Sequence, residues 1–177
     1  MKSLLPLIKT VIAALEADGL LDTYMGGDAL AFPLEAPDNQ ALPYITISPI
    51  SMTDFSAKDF DGDDIQFQVA AHFERGKAAS SNGLTDVGKA CERIRDILAH
   101  RDGFALDESP SEGETLALDL LTGPNRVSTA TSTQLVMCRY ISGAIIPGLN
   151  DASNGAGSGY QSISGVVRFR ALMSPAN

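Results

Sequence analysis

The residues best suited to chemistry in this sequence are five aspartates that surround Gly62. Clustered carboxylates are common calcium ligands, and an EF-hand loop places glycine at its sixth position and a bidentate glutamate at its twelfth. Aligning Gly62 with the sixth position puts Ala57 first and Gln68 twelfth, so neither end of the loop carries the required carboxylate. We therefore expect residues 53–64 to form a solvated or interface loop, and a small acidic ligand- or metal-binding module is kept as an alternative. The five residues are Asp54, Asp59, Asp61, Asp63 and Asp64.

Two other patterns suggest catalysis or phosphate binding only at first sight. A nucleophilic site needs a base in contact with a nucleophile, but His72 falls on the polar face of a predicted strand and His100 at the end of a predicted helix. The glycines of residues 155–159 lack the Gly-Lys-Ser/Thr ending of a phosphate-binding loop, and a strand rather than a helix follows them. The sequence has no Cys-x-x-Cys or His-Glu-x-x-His motif for zinc. It therefore predicts no catalytic residue, no metal ligand and no cofactor.

The composition is that of an acidic globular protein. The chain has 177 residues, with 13 Lys and Arg against 22 Asp and Glu, and its net charge is −9. This charge repels nucleic acid and anionic membranes at long range. The arginine pairs Arg93/Arg95 and Arg168/Arg170 are expected on solvated faces, and Cys91 is expected as a small buried apolar residue of a helix. No secretory cleavage pattern and no uncharged run of about 20 residues is present, which favours folding in a reducing cytoplasm and no membrane association.

Hydrophobic periodicity divides the chain into helices and strands. Two segments have apolar residues at helical spacing, and five are strand-like. The segment of residues 20–41 is predicted as an irregular connection because it is rich in Gly and Pro. The predicted helices run from Leu4 to a stop at Gly19 and over residues 84–100; the predicted strands are 42–48, 65–75, 106–122, 127–142 and 160–173; residues 148–159 are predicted as a mobile loop.

The order helix, two strands, helix, three strands favours an α+β fold. Strands that do not alternate regularly with helices argue against a doubly wound sheet. We therefore expect one domain over residues 1–177, built as a mostly antiparallel β-sheet with the two amphipathic helices packed on one face and with extended loops. Pro43 and Pro49 bracket the first strand, which predicts that it lies at a sheet edge or stops abruptly.

The order and spacing of five segments resemble a known protein family. The sequence is similar to the tail-completion or tail-terminator proteins of long-tailed phages, prophages and phage-like gene transfer agents. The resemblance covers most of residues 4–102 and the last strand, whereas residues 105–160 are longer than the family pattern. The segments are Leu4-Leu-Pro-Leu-Ile-Lys9, Leu42-Pro-Tyr-Ile-Thr-Ile47, Ile65-Gln-Phe-Gln-Val69, Arg93-Ile-Arg-Asp-Ile-Leu98 and Gly165-Val-Val-Arg-Phe-Arg170.

The resemblance implies a structural virion protein rather than an enzyme. It implies a homo-oligomeric ring, usually a hexamer, that caps the head-proximal end of the tail tube and stops tube polymerisation. The partners implied are further copies of the chain, the tail-tube protein and the head–tail connector, with DNA passing through the lumen without specific binding. The implied location is the virion tail or neck, after assembly in the host bacterial cytoplasm. Another neck or tail ring protein, such as a head-completion stopper or a tail-tube subunit, is the alternative.

The acidic segment and the glycine-rich loop are the candidate assembly interface. Two phenylalanines in an acidic segment suggest a surface that a partner covers, although Phe55 and Phe60 fit equally well in the core of their own domain. The candidate residues are Asp54, Phe55, Phe60, Asp61 and Asp63, with Asn150, Asp151 and Asn154 in the loop.

Overall fold

Three helices and five strands make up the described part of the protein. The computed structural model describes residues 4–57, 60–75, 83–99, 133–147 and 161–175. The elements in chain order are α1 (Leu4–Glu16), α2 (Gly19–Met25), β1 (Ala31–Pro33), β2 (Tyr44–Ala57), β3 (Phe60–Arg75), α3 (Gly83–Leu98), β4 (Thr133–Pro147) and β5 (Gln161–Pro175).

The five strands form one sheet in the order β1-β2-β3-β5-β4. The short strand β1 is parallel to β2, and the other three pairings are antiparallel. The described elements thus confirm the predicted α+β class with its mostly antiparallel sheet. In this order β3 and β5 are central, and β4 lies at one edge.

One face of the sheet, the inner face, carries the hydrophobic core. Successive strand residues point to opposite faces, so the buried residues Ile65, Phe67 and Val69 of β3 share the face that meets the helices. Phe67 pairs with Phe169 of β5, and their rings stack with centroids 5.3 Å apart. Helix α3 lies against β3, β4 and β5, while α1 contacts β1 and α3. The helices therefore pack on one face, as predicted.

The prediction of an irregular connection after Gly19 was wrong, because Gly19 begins a second short helix. The side chain of Asp18 caps α2 by accepting a hydrogen bond from the Leu21 backbone N–H at 2.8 Å. Leu21 and Met25, one turn apart, are both buried. Gly26 ends the helix in the left-handed conformation, with φ 77°, that glycine adopts without steric cost. Seven residues are too few for periodicity to reveal a helix, and its cap and buried side chains stabilise it.

The prediction of a loop at residues 53–64 was also wrong, because strands occupy most of this segment. Strand β2 continues past Pro49, where the register shifts around Ile50, and runs to Ala57. A proline is tolerated at such a bulge, since the ladder is locally interrupted there. Strand β3 begins at Phe60 and pairs antiparallel with β2, so the two strands form a long hairpin. The prediction that the first strand lies at a sheet edge or stops abruptly was wrong, because residues 45–47 of β2 lie between β1 and β3 and the strand continues through Pro49.

The later part of the chain agrees with the prediction where the structure describes it. The last strand was predicted at 160–173 and is found at Gln161–Pro175, and the strand predicted at 127–142 is found at Thr133–Pro147. The strand predicted at 106–122 and the loop predicted at 148–159 lie outside the described residues. Among the helices that the structure describes, none has the length and apolar character needed to cross a membrane.

Candidate assembly interface

The predicted acidic interface is the end of the β2–β3 hairpin, which we call the acidic arm and define as residues 53–57 of β2 and 60–64 of β3. Asp54 and Phe55 lie on its first strand, and Phe60, Asp61 and Asp63 on its second. The ladder between β3 and β5 begins at Asp63, so residues 60–62 pair only with β2 among the described residues. The predicted residues Asn150, Asp151 and Asn154 lie outside the described residues.

Two carboxylates of the acidic arm lie directly opposite each other. Asp54 pairs with Asp63 across the hairpin, and like charges in that position are destabilising. Asp54 is exposed and Asp63 is half-buried. Because Asp63 is two residues from Ile65, both aspartates point toward the helix side of the sheet. Phe55 is 41% exposed, which favours its placement on the surface over the core of its own domain.

Two described carboxylates of the arm, those of Asp63 and Asp64, lie on opposite faces of the sheet and so do not gather around one cation. The side chain of Asp64 points to the face opposite that of Asp63, as neighbouring strand residues do. There it accepts hydrogen bonds from the Arg170 guanidinium, with Nη2–Oδ2 at 2.6 Å and Nε–Oδ1 at 3.0 Å. These bonds raise the pKa of Arg170. Within the described residues, no group of three or more Asp, Glu, His and Cys side chains could hold a metal ion.

Sequence reasoning missed a second surface, a basic patch that we define as Arg139, Arg168 and Arg170. All three side chains are exposed on the outer face of the sheet, away from the helices. Arg139 of β4 pairs directly with Arg170 of β5, and Arg168 is two residues from Arg170. Arg139 is distant in sequence from the other two, so only strand pairing brings the patch together.

The basic patch adjoins an exposed apolar strand edge. Ile141, Ile145 and Ile146 of β4 are 47%, 41% and 51% exposed. β4 is the last strand of the sheet, so one side of its backbone has no strand partner among the described residues. Exposed edges of this kind invite pairing with another chain, and natural proteins normally protect them. We call residues 141–146 the β4 edge.

A histidine on the outer face links three strands through hydroxyl groups. His72 Nε2 lies 2.9 Å from Thr46 Oγ1, and His72 Nδ1 lies 2.8 Å from Ser164 Oγ. A Ser–His catalytic pair needs an acid on the second ring nitrogen to stabilise the imidazolium, but here a threonine hydroxyl occupies that position. The arrangement is a structural bridge between β2, β3 and β5. Desolvation of the half-buried ring lowers the pKa of His72 below its ordinary value of 6.5.

The His72 bridge makes the stability of the protein depend on pH. Because the folded-state pKa lies below 6.5, the unfolded chain binds more protons below that pH, and stability falls as the pH decreases. One proton gives at most about 1.4 kcal/mol per pH unit, and solvent screening of a half-buried ring should hold the effect below about 1 kcal/mol. Urea unfolding measured from pH 5.0 to 7.5 should give a free energy of unfolding that falls as the pH decreases in the wild type. The decrease should be smaller in His72→Gln. Equal slopes in both proteins would contradict the assignment.

The two cysteines are poorly suited to nucleophilic chemistry. Burial raises the pKa of the Cys138 thiol to about 12. Burial, with a smaller contribution from Glu92, raises the pKa of Cys91 to about 11. Thiols with such pKa values remain protonated at neutral pH. Cys91 is half-buried rather than fully buried as expected, and it packs against the core.

Comparisons with known proteins identify the family. The family model described as tail completion protein gp17 matches residues 9–118, more than half of the chain. A chain in the solved structure described as the virion of a native gene transfer agent particle shares the fold, with a TM-score of 0.59 and 18% identity over 95% of this chain and 94% of that chain. No curated protein matches the sequence significantly. The chain therefore belongs to the gp17 tail completion family and is a structural protein of a phage tail.

Proposed function

We propose that this protein is a tail terminator that forms a ring on the head-proximal end of the tail tube. The ring stops tube polymerisation, provides the joining surface for the head connector, and has no catalytic role. We expect six copies, as the family resemblance implies. The observation that carries the proposal is the exposed β4 edge, in a chain of the tail completion family.

The β4 edge supports self-assembly because it is apolar and, within the described ranges, has no strand paired to its outer side. A subunit that places its β4 edge against a different surface of the next copy makes a head-to-tail contact, and a series of such contacts closes into a ring when the rotation permits. Contact with the next copy would remove Ile141, Ile145 and Ile146 from water, which is favourable in proportion to the apolar area buried.

The net charge supports a passage for DNA without specific binding. A lumen lined by a protein of charge −9 repels the phosphate backbone, so a passing genome is not held. The partners proposed are the tail-tube protein on one face of the ring and the head connector on the other.

The proposal is tested by assembly with purified tail-tube protein from the same particle. We expect size-exclusion chromatography with light scattering, and negative-stain imaging, to show rings free in solution or on tube ends. The tubes should then stop growing. A chain that stays monomeric at high concentration and leaves tube growth unchanged would overturn the proposal. A chain that polymerises into a tube by itself would be a tube subunit, and one that binds the connector but not the tube would be a stopper.

Substitutions at exposed apolar residues test the role of the β4 edge within this assay. Ile146→Lys should weaken ring formation, because a buried lysine without a partner opposes the contact. Leu84→Lys is the matched control, since Leu84 is 58% exposed at the start of α3 and should leave assembly unchanged. Equal assembly by the two variants would exclude the β4 edge from the ring contact.

A further inference from the structure

Within the part of the chain that the structure describes, the acidic arm carries two carboxylates that no basic side chain neutralises. Its two strands contain four aspartates, Asp54, Asp61, Asp63 and Asp64, and no lysine or arginine, whereas Lys58 and Asp59 between the strands lie outside the described residues. Asp64 is paired with Arg170, whereas Asp54 and Asp63 form no ion pair among the described residues. Their direct opposition weakens the hairpin at that point.

The shape of the acidic arm also indicates a partner. Its outermost part is a two-stranded ribbon among the described residues, and such a ribbon is marginally stable by itself in water. Asp and Gly are disfavoured in strands, yet Asp61, Gly62 and Asp63 follow one another in β3. A cationic surface laid against the helix side of the arm would neutralise the opposed carboxylates Asp54 and Asp63 and would pack against the adjoining ribbon.

The basic patch has the complementary charge and is out of reach of Asp54 and Asp63 in the same chain. Asp64 neutralises Arg170, while Arg139 and Arg168 form no ion pair among the described residues. The patch lies on the outer face of the sheet, whereas Asp54 and Asp63 point to the helix side. Charge neutralisation between these two surfaces therefore requires two copies.

We propose that the acidic arm of one copy lies on the basic patch of the next copy around the ring. This inference rests on the proposed ring and names its contact surfaces. The helix side of the arm, with Asp54 and Asp63, faces Arg139 and Arg168 of the neighbour. Each subunit therefore covers part of the outer face of the next subunit. The basic patch adjoins the β4 edge, so the arm also covers Ile146, which lies on the same outer face. Because the arm and the patch are different surfaces, the contact is head-to-tail and can close into a ring.

Charge reversal tests the contact. The arm variant is Asp54→Lys/Asp63→Lys, and the patch variant is Arg139→Glu/Arg168→Glu. Each should raise the concentration needed for half-maximal ring assembly roughly tenfold or more, since attraction between the two surfaces becomes repulsion at two positions. The chain that carries all four substitutions should recover assembly, because the charges are then exchanged and attract again. Glu35→Lys/Asp38→Lys is the matched control, because it reverses two exposed charges outside both surfaces and should assemble like the wild type.

The outcomes separate the contact from the proposed function. If the wild type forms no ring, even on tube ends, the tail-terminator proposal fails. If wild-type rings form and neither reversal affects them, the contact is wrong while the ring stands. If the arm variant forms rings that no longer stop tube growth, the arm contacts the tube protein and the inference is overturned. Recovery by the fourfold variant, with thermal unfolding like that of the wild type, excludes misfolding as the cause of lost assembly.

Discussion

Replacing Arg93 by alanine is expected to lower the free energy of unfolding by about 3–5 kcal/mol. The guanidinium of Arg93 in α3 holds Asp18, with Nη2–Oδ2 at 2.8 Å and Nε–Oδ1 at 3.1 Å. The Asp18 side chain is 0% exposed and that of Arg93 is 11% exposed. Removing the guanidinium takes a bidentate cationic partner from a fully buried carboxylate. The loss should appear as a lower urea midpoint with an unchanged denaturant dependence.

Arg95→Ala on the same helix is the matched control for Arg93. Arg95 pairs with Asp96, and the two side chains are 45% and 47% exposed, so this change should cost less than about 1 kcal/mol. The double variant Asp18→Asn/Arg93→Met should be more stable than Arg93→Ala, because it leaves no buried charge. Similar losses for Arg93→Ala and Arg95→Ala would show that the buried pair contributes no more than a surface pair.

Replacing Gly165 by valine should destabilise the protein by about 3 kcal/mol, at the upper end of the usual cost of overpacking. Gly165 is the point of β5 on which α3 rests. A Cβ atom there would meet Cys91 Sγ and would lie 2.7 Å from Val87 Cγ1. Such distances are shorter than atomic packing allows, so α3 would have to move away from the sheet. Thermal and urea unfolding measure the loss.

Gly88→Ala in α3 is the control for the Gly165 change. A Cβ at residue 88 would have no atom within 4 Å, and alanine favours a helix over glycine by up to about 1 kcal/mol. This variant should therefore be as stable as the wild type or more stable. Cys91→Ala combined with Gly165→Val should cost less than the sum of the single changes, because loss of the Cys91 Sγ atom makes room for the new side chain. Strict additivity would rule out the proposed clash.

Hydrophobic periodicity was sufficient to predict the elements that bury one face. Strand β3 was predicted from Ile65 onward, α3 over nearly its whole length, and β5 within two residues of both ends. In each, the buried residues recur at the period of the backbone, since an element that packs on one side must place its apolar residues on that side. The α+β class and the absence of regular strand–helix alternation were read from the same patterns.

The strands of the acidic arm could not be predicted because its residue types disfavour strand formation. Asp and Gly are poor strand formers, and they favoured a loop at 53–64. The hairpin forms nonetheless because β3 is already held between β2 and β5, so each further pair only extends an existing ladder. This extension changed the interface hypothesis from a loop to a ribbon with Asp54 and Asp63 on one face and Asp64 on the other.

Arginine environments show the same division between local pattern and tertiary contact. The sequence placed Arg93 on a solvated face, but α2 brings the buried carboxylate of Asp18 against it. For Arg168 the expected exposure was confirmed. What the sequence could not show was its position near Arg139, because a cross-strand neighbour is set by register between distant segments.

The sequence by itself determined the acidic charge, the fold class, the family resemblance, and the failure of the EF-hand, phosphate-loop and zinc motifs. Each of these depends on residue types and local spacing. Only the tertiary structure decided that the aspartates lie on an arm, that three arginines converge on the outer face, and that the β4 edge is exposed. These features depend on which strands are neighbours and on the face to which each residue points. Both are set by packing of the whole chain.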